Sequence, residues 1–551
     1  MGMEATHGSG RTLGISRNVR RGIAWSTAAI IAMATTLAAT DANAASGKAT
    51  SSVVVMETPG AGDAPERAVA RLGGSVERQL PIINGFSAKV PASAVVKLRT
   101  ATGVLRVSPN RTLRAKGYLP GSNYDNVSNM TSLYNAVRIL GGEQYWTRGH
   151  TGAGIDIALI DTGVTRVPGL DAPGKVVDGP DLSFESQDPT RVYKDNYGHG
   201  THLAGIIAGN DRPGSTGAEY AADSTAFIGM APDARIVNMK VADGNGVTDV
   251  SQVIAAIDWV VQHRNTDGLN IRVMEIAFGS DSPQSYTVDP LAYATEVAMD
   301  KGIVVVAAAG NGGKITPGPG LASPAYHPRA IAVGASSANG TSQAEDDSVA
   351  LFSSAANVPG GRGPDVLAPG ISIPSLAAPG SMIVNAFGPY ASVGTRFIKG
   401  SGTSQSSALI AGGVALLLQE RPWATHDRVK ATISYFSRSL QAEPVEAQGH
   451  GVVQFDWIIG RPLRKASAPA RTSGNGSLDA ARGTRRAEMD GVAIQGEVDI
   501  MGAPFNAQAW ASASNAGTSW SGGTWNGRTW SGSSWSGSSW SGRTWSTAAW
   551  F

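Results

Sequence analysis

The sequence predicts an α/β fold, a parallel sheet with helices on both faces, preceded by a small ferredoxin-like α+β unit. Two observations carry the main fold. Between about Met130 and Pro462, five apolar runs rich in β-branched residues ("IDIALID", "ARIVNMKV", "IRVMEIAF", "IVVVAAA" and "AIAVGA") read as strands buried on both faces. Amphipathic stretches such as "VSQVIAAIDWVVQHRN" and "PLAYATEVAMDKG" fall between them and read as crossover helices. A third observation concerns Ser52 to about Lys116. There "SVVVME", "INGFSAKVP" and "VLRVSPN" read as short strands, and "APERAVARLGG" and "ASAVVKLRTA" as helices, which fits βαββαβ order. In an open parallel sheet the chemistry belongs at the carboxyl ends of the strands.

Composition narrows the function classes. The 551 residues are 42% hydrophobic and 16% charged, enough for a large core and more than one unit. With 45 basic against 43 acidic residues, the net charge of +2 gives no general attraction to nucleic acid. The absence of cysteine excludes a disulfide framework, a thiolate metal cage and a cysteine nucleophile. The 69 glycines point to many tight turns rather than to a helical bundle.

Residues 1–44 read as an address. Arg11, Arg17, Arg20 and Arg21 precede an uncharged run from Gly22 to Thr40, and Ala42-Asn43-Ala44 follows as a small-residue exit. This is the pattern of a bacterial-type secretory signal, and it predicts a secreted or cell-envelope-associated protein. A signal anchor is the rival, since the run is nearly long enough to span a bilayer.

Four short segments fall where catalysis would need them. "IALIDTGV" ends a strand at Asp161, and "YGHGTHLAGIIAG" opens a helix at His199. "VVVAAAGNGG" delivers Asn311 in a glycine-rich turn, and "GSGTSQSSALIAGGVALLLQE" places Ser404 at the start of a long apolar helix. Acyl transfer by serine needs a base, a carboxylate that orients it and donors aimed at the oxyanion. Asp161, His199 and Ser404 supply orienter, base and nucleophile. The Asn311 amide and the Ser404 N–H at a helix N-terminus supply the donors. Alone, a serine at such a helix start is usually an N-cap; the other three segments raise it above that.

These segments, in this order, resemble those of the subtilases, the subtilisin-like serine endopeptidases. The resemblance covers about residues 130–462 and implies a subtilisin-like sheet. It implies that residues 45–117 are an inhibitory propeptide and that the catalytic roles fall on Asp161, His199, Ser404 and Asn311. It implies protein or peptide substrates, the chain's own propeptide as an intramolecular inhibitor, and no required cofactor. "KVADGNGV", with Gly244, and "IAFGSD", with Ala277, Phe278 and Gly279, resemble the two segments that pair with substrate backbone. The resemblance also predicts self-cleavage between about Leu113 and Tyr124.

The sequence departs from the family at Ala408, where proline is usual, at Ala277-Phe278, and at Glu275 in an apolar strand. A paired or solvent-reaching carboxylate is the expectation for Glu275, because unpaired burial is costly. A catalytically silent subtilase fold that binds the cell envelope is the rival to an active enzyme. His202 is expected to pack in its helix rather than bind zinc, since no H-E-x-x-H pattern accompanies it. Calcium as a structural ion is compatible with the loops "DGPDLSFESQD" and "NDRPGSTGAEYAAD", with no ligand assigned.

Past Leu463, "RKASAPARTSGNGS" has linker composition, and residues 463–509 show no clear fold. Residues 510–551 hold eight of the 13 tryptophans, and from Trp520 to Trp550 they recur every five residues in an S-G-x-[ST]-W unit. A flexible low-complexity tail, a stacking platform for cell-wall glycans and a piece removed during maturation all fit. A period of five puts successive rings on opposite faces of any one strand.

Overall fold

The computed structural model describes residues 50–80, 83–110, 125–314, 320–358, 360–466, 471–530 and 545–546. The signal segment and the expected cleavage region lie outside the described residues. The chain divides into two compact units, residues 1–116 and 117–551.

The first unit runs β1 (Thr50–Glu57), α1 (Ala64–Arg71), β2 (Ser75–Leu80), β3 (Gly85–Pro91), α2 (Val95–Arg99) and β4 (Val104–Pro109). The four strands form an antiparallel sheet in the order β2-β3-β1-β4, the ferredoxin-like arrangement. Val53, Val55, Phe86, Ala88, Val90 and Leu98 make its core. "SVERQL" becomes β2 although it lacks apolar alternation. It is an edge strand whose residues face outward, so its polar side chains cost nothing there.

The second unit is built on β5 (Asp156–Asp161), β6 (Val176–Asp178), β7 (Arg235–Lys240), β8 (Ile271–Ile276), β9 (Val304–Ala308), β10 (Ile331–Ser337), β11 (Ser348–Val349) and β12 (Val366–Pro369). A small antiparallel sheet of β13 (Ile373–Leu376), β14 (Ser392–Val393) and β15 (Phe397–Gly400) follows, then β16 (Ser437–Arg438) and β17 (Val452–Val453). The large sheet has the order β16-β17-β12-β10-β9-β8-β5-β7-β6, with β11 on β10. Its pairs are parallel except those of β11 and β16.

Both faces are covered. Ile157 and Leu159 of β5 belong to one core cluster, and Ala158 and Ile160 to the other. The first cluster includes residues of helices α3 (His199–Ala208) and α6 (Thr403–Glu420). The second includes residues of α4 (Val250–His263) and α5 (Pro290–Asp300). Strand order reverses at β5, which lies between β7 and β8, so a crevice opens beyond its carboxyl end, where Asp161 stands.

The region beyond Leu463 differs from the sequence expectation. Residues 471–530 fold onto the sheet unit through helices α7 (Leu478–Ala481) and α8 (Ala507–Ala516) and a meander of β18 (Trp520–Ser521), β19 (Thr524–Trp525) and β20 (Arg528–Thr529). Gly522 and Gly523, and then Asn526 and Gly527, all have positive φ, the signature of type I′ hairpin turns. Each of the two five-residue units between Trp520 and Trp530 therefore contains a turn, and the chain reverses before the next tryptophan. Trp520 stands directly opposite Trp525, and the Trp530 N–H bonds the Gly523 carbonyl, so the three rings share a face. That face is buried: Trp510, Trp520, Trp525 and Trp530 join the core beside α4. These four rings are thus neither a free tail nor a surface for stacking on glycans.

Candidate active site

Asp161 is delivered by the last position of β5 and is 1% exposed. Both of its carboxylate oxygens lie 3.0 Å from His199 Nδ1. The Thr162 N–H donates to Asp161 Oδ1 at 2.7 Å, fixing the carboxylate's rotation. His199 is the first residue of α3, after Gly198 at φ 109°, a conformation that favours glycine.

Helix α3 has no side-chain cap at Gly198, and Asp195 takes over that role. Its carboxylate accepts from the Gly198 N–H at 2.6 Å and the Thr201 N–H at 2.7 Å, and from the Thr162 hydroxyl at 2.8 Å. Thr162 Oγ1 in turn accepts from the Gly200 N–H. A single buried carboxylate thus locks the histidine's helix to the strand end that carries Asp161. Sequence reasoning missed Asp195; the available signal was an acidic residue one turn ahead of a helix start.

Ser404 is the second residue of α6 and is nearly buried. Asn311 follows β9 by a short glycine turn. Its Oδ1 accepts from the Thr403 N–H at 3.0 Å, and the Gly310 N–H donates to Thr403 Oγ1 at 3.1 Å. With the carbonyl end of the amide held by the residue before Ser404, the NH₂ end is left to donate. The turns carrying His199 and Ser404 meet across Gly400. A Cβ there would stand 2.7 Å from both His202 Nε2 and Gln405 Nε2. The arrangement holds a histidine base against a fixed carboxylate and places a serine and an amide donor at one helix N-terminus.

The other expected residues fare differently. Ala277 and Phe278 are buried at the carboxyl end of β8, and the Ser280 N–H pairs with the Ser323 carbonyl just beyond Gly279. The Gly244 N–H donates to Glu185 Oε1 at 2.9 Å, so it is committed inside the protein rather than free to pair with a substrate. Glu185 also bonds the buried Lys240 ammonium at 2.6 Å, which anchors the 243–248 loop from below. Ala408 lies inside the continuous helix α6.

Glu275 neither reaches solvent nor meets a cation. It is fully buried, accepts from Ser407 Oγ at 2.5 Å, and leaves Oε2 without a partner. Burial pushes its carboxyl well above the ordinary range, and the Asp161 charge adds to this. His202 is buried with Nε2 unpartnered, and burial lowers it to about 3, followed by the effect of neighbouring His199.

Carboxylates in the two acidic loops have partners within the protein. Asp181 accepts from Ser183 and Tyr193, and Asp211 pairs with Arg396. Asp223 accepts from Thr225 and pairs with Arg212. Among the described residues, no group of three or more His, Cys, Asp and Glu side chains could hold a metal ion. No helix among them is long and apolar enough to cross a membrane.

Comparison with known proteins agrees with this architecture. Residues 152–451 match the model of the Subtilase family, and residues 31–110 that of a peptidase inhibitor domain. Serine protease AprX of Bacillus subtilis (strain 168) is 33% identical over 377 residues, 67% of this chain and 78% of that protein. Subtilisin E of the same strain is 29% identical over 377 residues, 68% of this chain and 81% of that protein. Subtilisin of Bacillus pumilus is 32% identical over 299 residues, covering 53% and 89%. With a family match across its parallel-sheet unit and an inhibitor domain ahead of it, the chain belongs to the subtilase family and is a subtilisin-like serine peptidase.

Proposed function

We propose that the protein is a secreted endopeptidase that cleaves peptide bonds through an acyl-enzyme on Ser404. The reading is carried by the buried His199–Asp161 contact at 3.0 Å, at the sheet's topological switch point. Ser404 Oγ attacks the peptide carbonyl carbon, and His199 Nε2 takes its proton while Asp161 holds Nδ1. The oxyanion is met by the Asn311 amide and by the Ser404 N–H at the positive end of α6. His199 returns the proton to the leaving amine, and water, deprotonated by the same imidazole, releases the acid. Substrate lies between the 243–248 loop and the Ala277–Gly279 segment. The first unit acts as an intramolecular inhibitor until the chain cuts itself between about residues 113 and 124.

Intact mass and N-terminal sequencing of the exported wild type beside Ser404→Ala test this. The expected result is a wild-type start near residue 118, Ser404 labelling by a fluorophosphonate, and an uncut variant. Identical processing of both proteins, or no labelling of the wild type, overturns it.

A further inference from the structure

We propose that Arg482 is a positioning residue for extended substrates: it fastens together the two segments between which the substrate chain lies. The inference rests on the reading of those segments under Proposed function. Arg482 itself lies outside the 152–451 stretch that matches the family.

Asp249 closes the 243–248 loop and caps α4. Its side chain accepts from the Ser251 N–H at 2.9 Å, and Gln252 Oε1 accepts from its backbone N–H at 2.7 Å. That uses one side of the carboxylate. Arg482 takes the other, with Nε 2.7 Å from Oδ2 and Nη2 3.3 Å from Oδ1, both side chains 1% exposed. The rest of the guanidinium is also engaged: Nη1 donates to the Gly496 carbonyl at 2.9 Å and Nη2 to that of Val498. The guanidinium thus fixes the 496–498 segment, and its own, to the end of the 243–248 loop.

The residues around Arg482 grip the opposite wall. Ser280 Oγ donates to the Ala481 carbonyl at 2.6 Å, and the Thr484 N–H donates to Asp281 Oδ1 at 2.7 Å. Gly483 has φ 66°, and a Cβ there would lie 2.9 Å from the Asp281 backbone carbon. Over four residues, 481–484, the chain therefore bonds both Ser280-Asp281, at the end of the Ala277–Gly279 segment, and Asp249, at the end of the facing loop. A substrate long enough to pair with both walls feels their separation; a small ester at Ser404 does not. Positioning of this kind appears in extended-substrate turnover, because binding energy from remote contacts is realised only if the walls hold their spacing.

The test compares wild type with Arg482→Met and Arg482→Lys in the full mature enzyme. Each is assayed on a tetrapeptide anilide, on p-nitrophenyl acetate, and for the rate of Ser404 phosphonylation. For Arg482→Met, kcat/KM on the tetrapeptide falls tenfold or more, while ester turnover and phosphonylation stay within twofold. Arg482→Lys, which keeps the charge but cannot span all three partners, gives an intermediate loss on the tetrapeptide alone. Equal losses on all three readouts, or none, overturn the proposal. If Arg482→Met does not fold, the lysine variant decides by the same ratio. A wild type inert to ester and fluorophosphonate would instead refute the proposed catalytic reading.

Discussion

Glu275 and Gly200 show how single residues near the site are held by sterics and dielectric rather than by charge pairing. The Glu275 carboxyl sits in the centre of the sheet with one hydrogen bond, and burial raises it well above its ordinary 4.5. A folded-state value above the unfolded one means the folded chain holds the proton more tightly. Its contribution to stability is full below about 4.5 and is lost as pH rises through the raised value. Glu275→Gln, isosteric and never charged, should therefore flatten the alkaline side of the stability profile. Melting temperatures at pH 5 and pH 9, in a Ser404→Ala background to stop self-digestion, check this. An equal gap between the two proteins at both pH values would refute it.

His202 has the opposite sign: lowered to about 3, it resists charging in the folded state, so stability is lost as pH falls from about 6.5 towards 3. Gly200 is fixed by close approach. A Cβ there would lie 2.2 Å from the Gly163 carbonyl oxygen and 3.0 Å from Asp161 Oδ1. Gly200→Ala should push the histidine's helix off the carboxylate and lower kcat by about 100-fold with circular dichroism unchanged, since misplacements near 1 Å cost that much.

At the scale of elements, the tryptophan meander explains its own repeat. A two-residue strand followed by a tight turn reverses the chain every few residues, so the five-residue spacing returns Trp520, Trp525 and Trp530 to one face. That face closes on α4. Asp258 of that helix, fully buried, accepts the Trp510 and Trp525 indole N–H groups at 2.8 Å and the Ser514 hydroxyl at 2.6 Å. Trp520 Nε1 bonds the Ala255 carbonyl at 2.8 Å, and the Gln262 amide brackets the Trp520 backbone. Removing Asp258 as an acceptor strands three buried donors, each costing about 1–3 kcal/mol. Asp258→Ala should therefore destabilise the protein by several kcal/mol in urea unfolding, and Trp525→Ala by about 3–5 kcal/mol. A loss below 1 kcal/mol for either would mean that the meander is not part of the cooperative unit.

For the whole molecule, the family match ends at residue 451 but the folded body does not. Ending the chain after residue 466 would bare the α4 face and remove Arg482 from Asp249. The truncated protein is expected to be poorly soluble and to bind a hydrophobic dye. The parallel sheet, its helices, the ferredoxin-like first unit and the four site segments were legible in the sequence. They rest on local signals: continuous apolar strands, glycine turns, and a histidine or serine at a helix start. What lay outside reach was set by partners distant in the chain. Asp195 became a cap because α3 lacks one, and Gly244 lost its N–H to Glu185, 59 residues earlier. The tryptophans were buried because α4 offered an acceptor more than 250 residues away. Periodicity reports which face of an element is apolar, and that much the sequence determined. Which surface covers that face, and which buried donor meets which acceptor, depends on chain segments brought together only by folding, and the tertiary structure alone decided it.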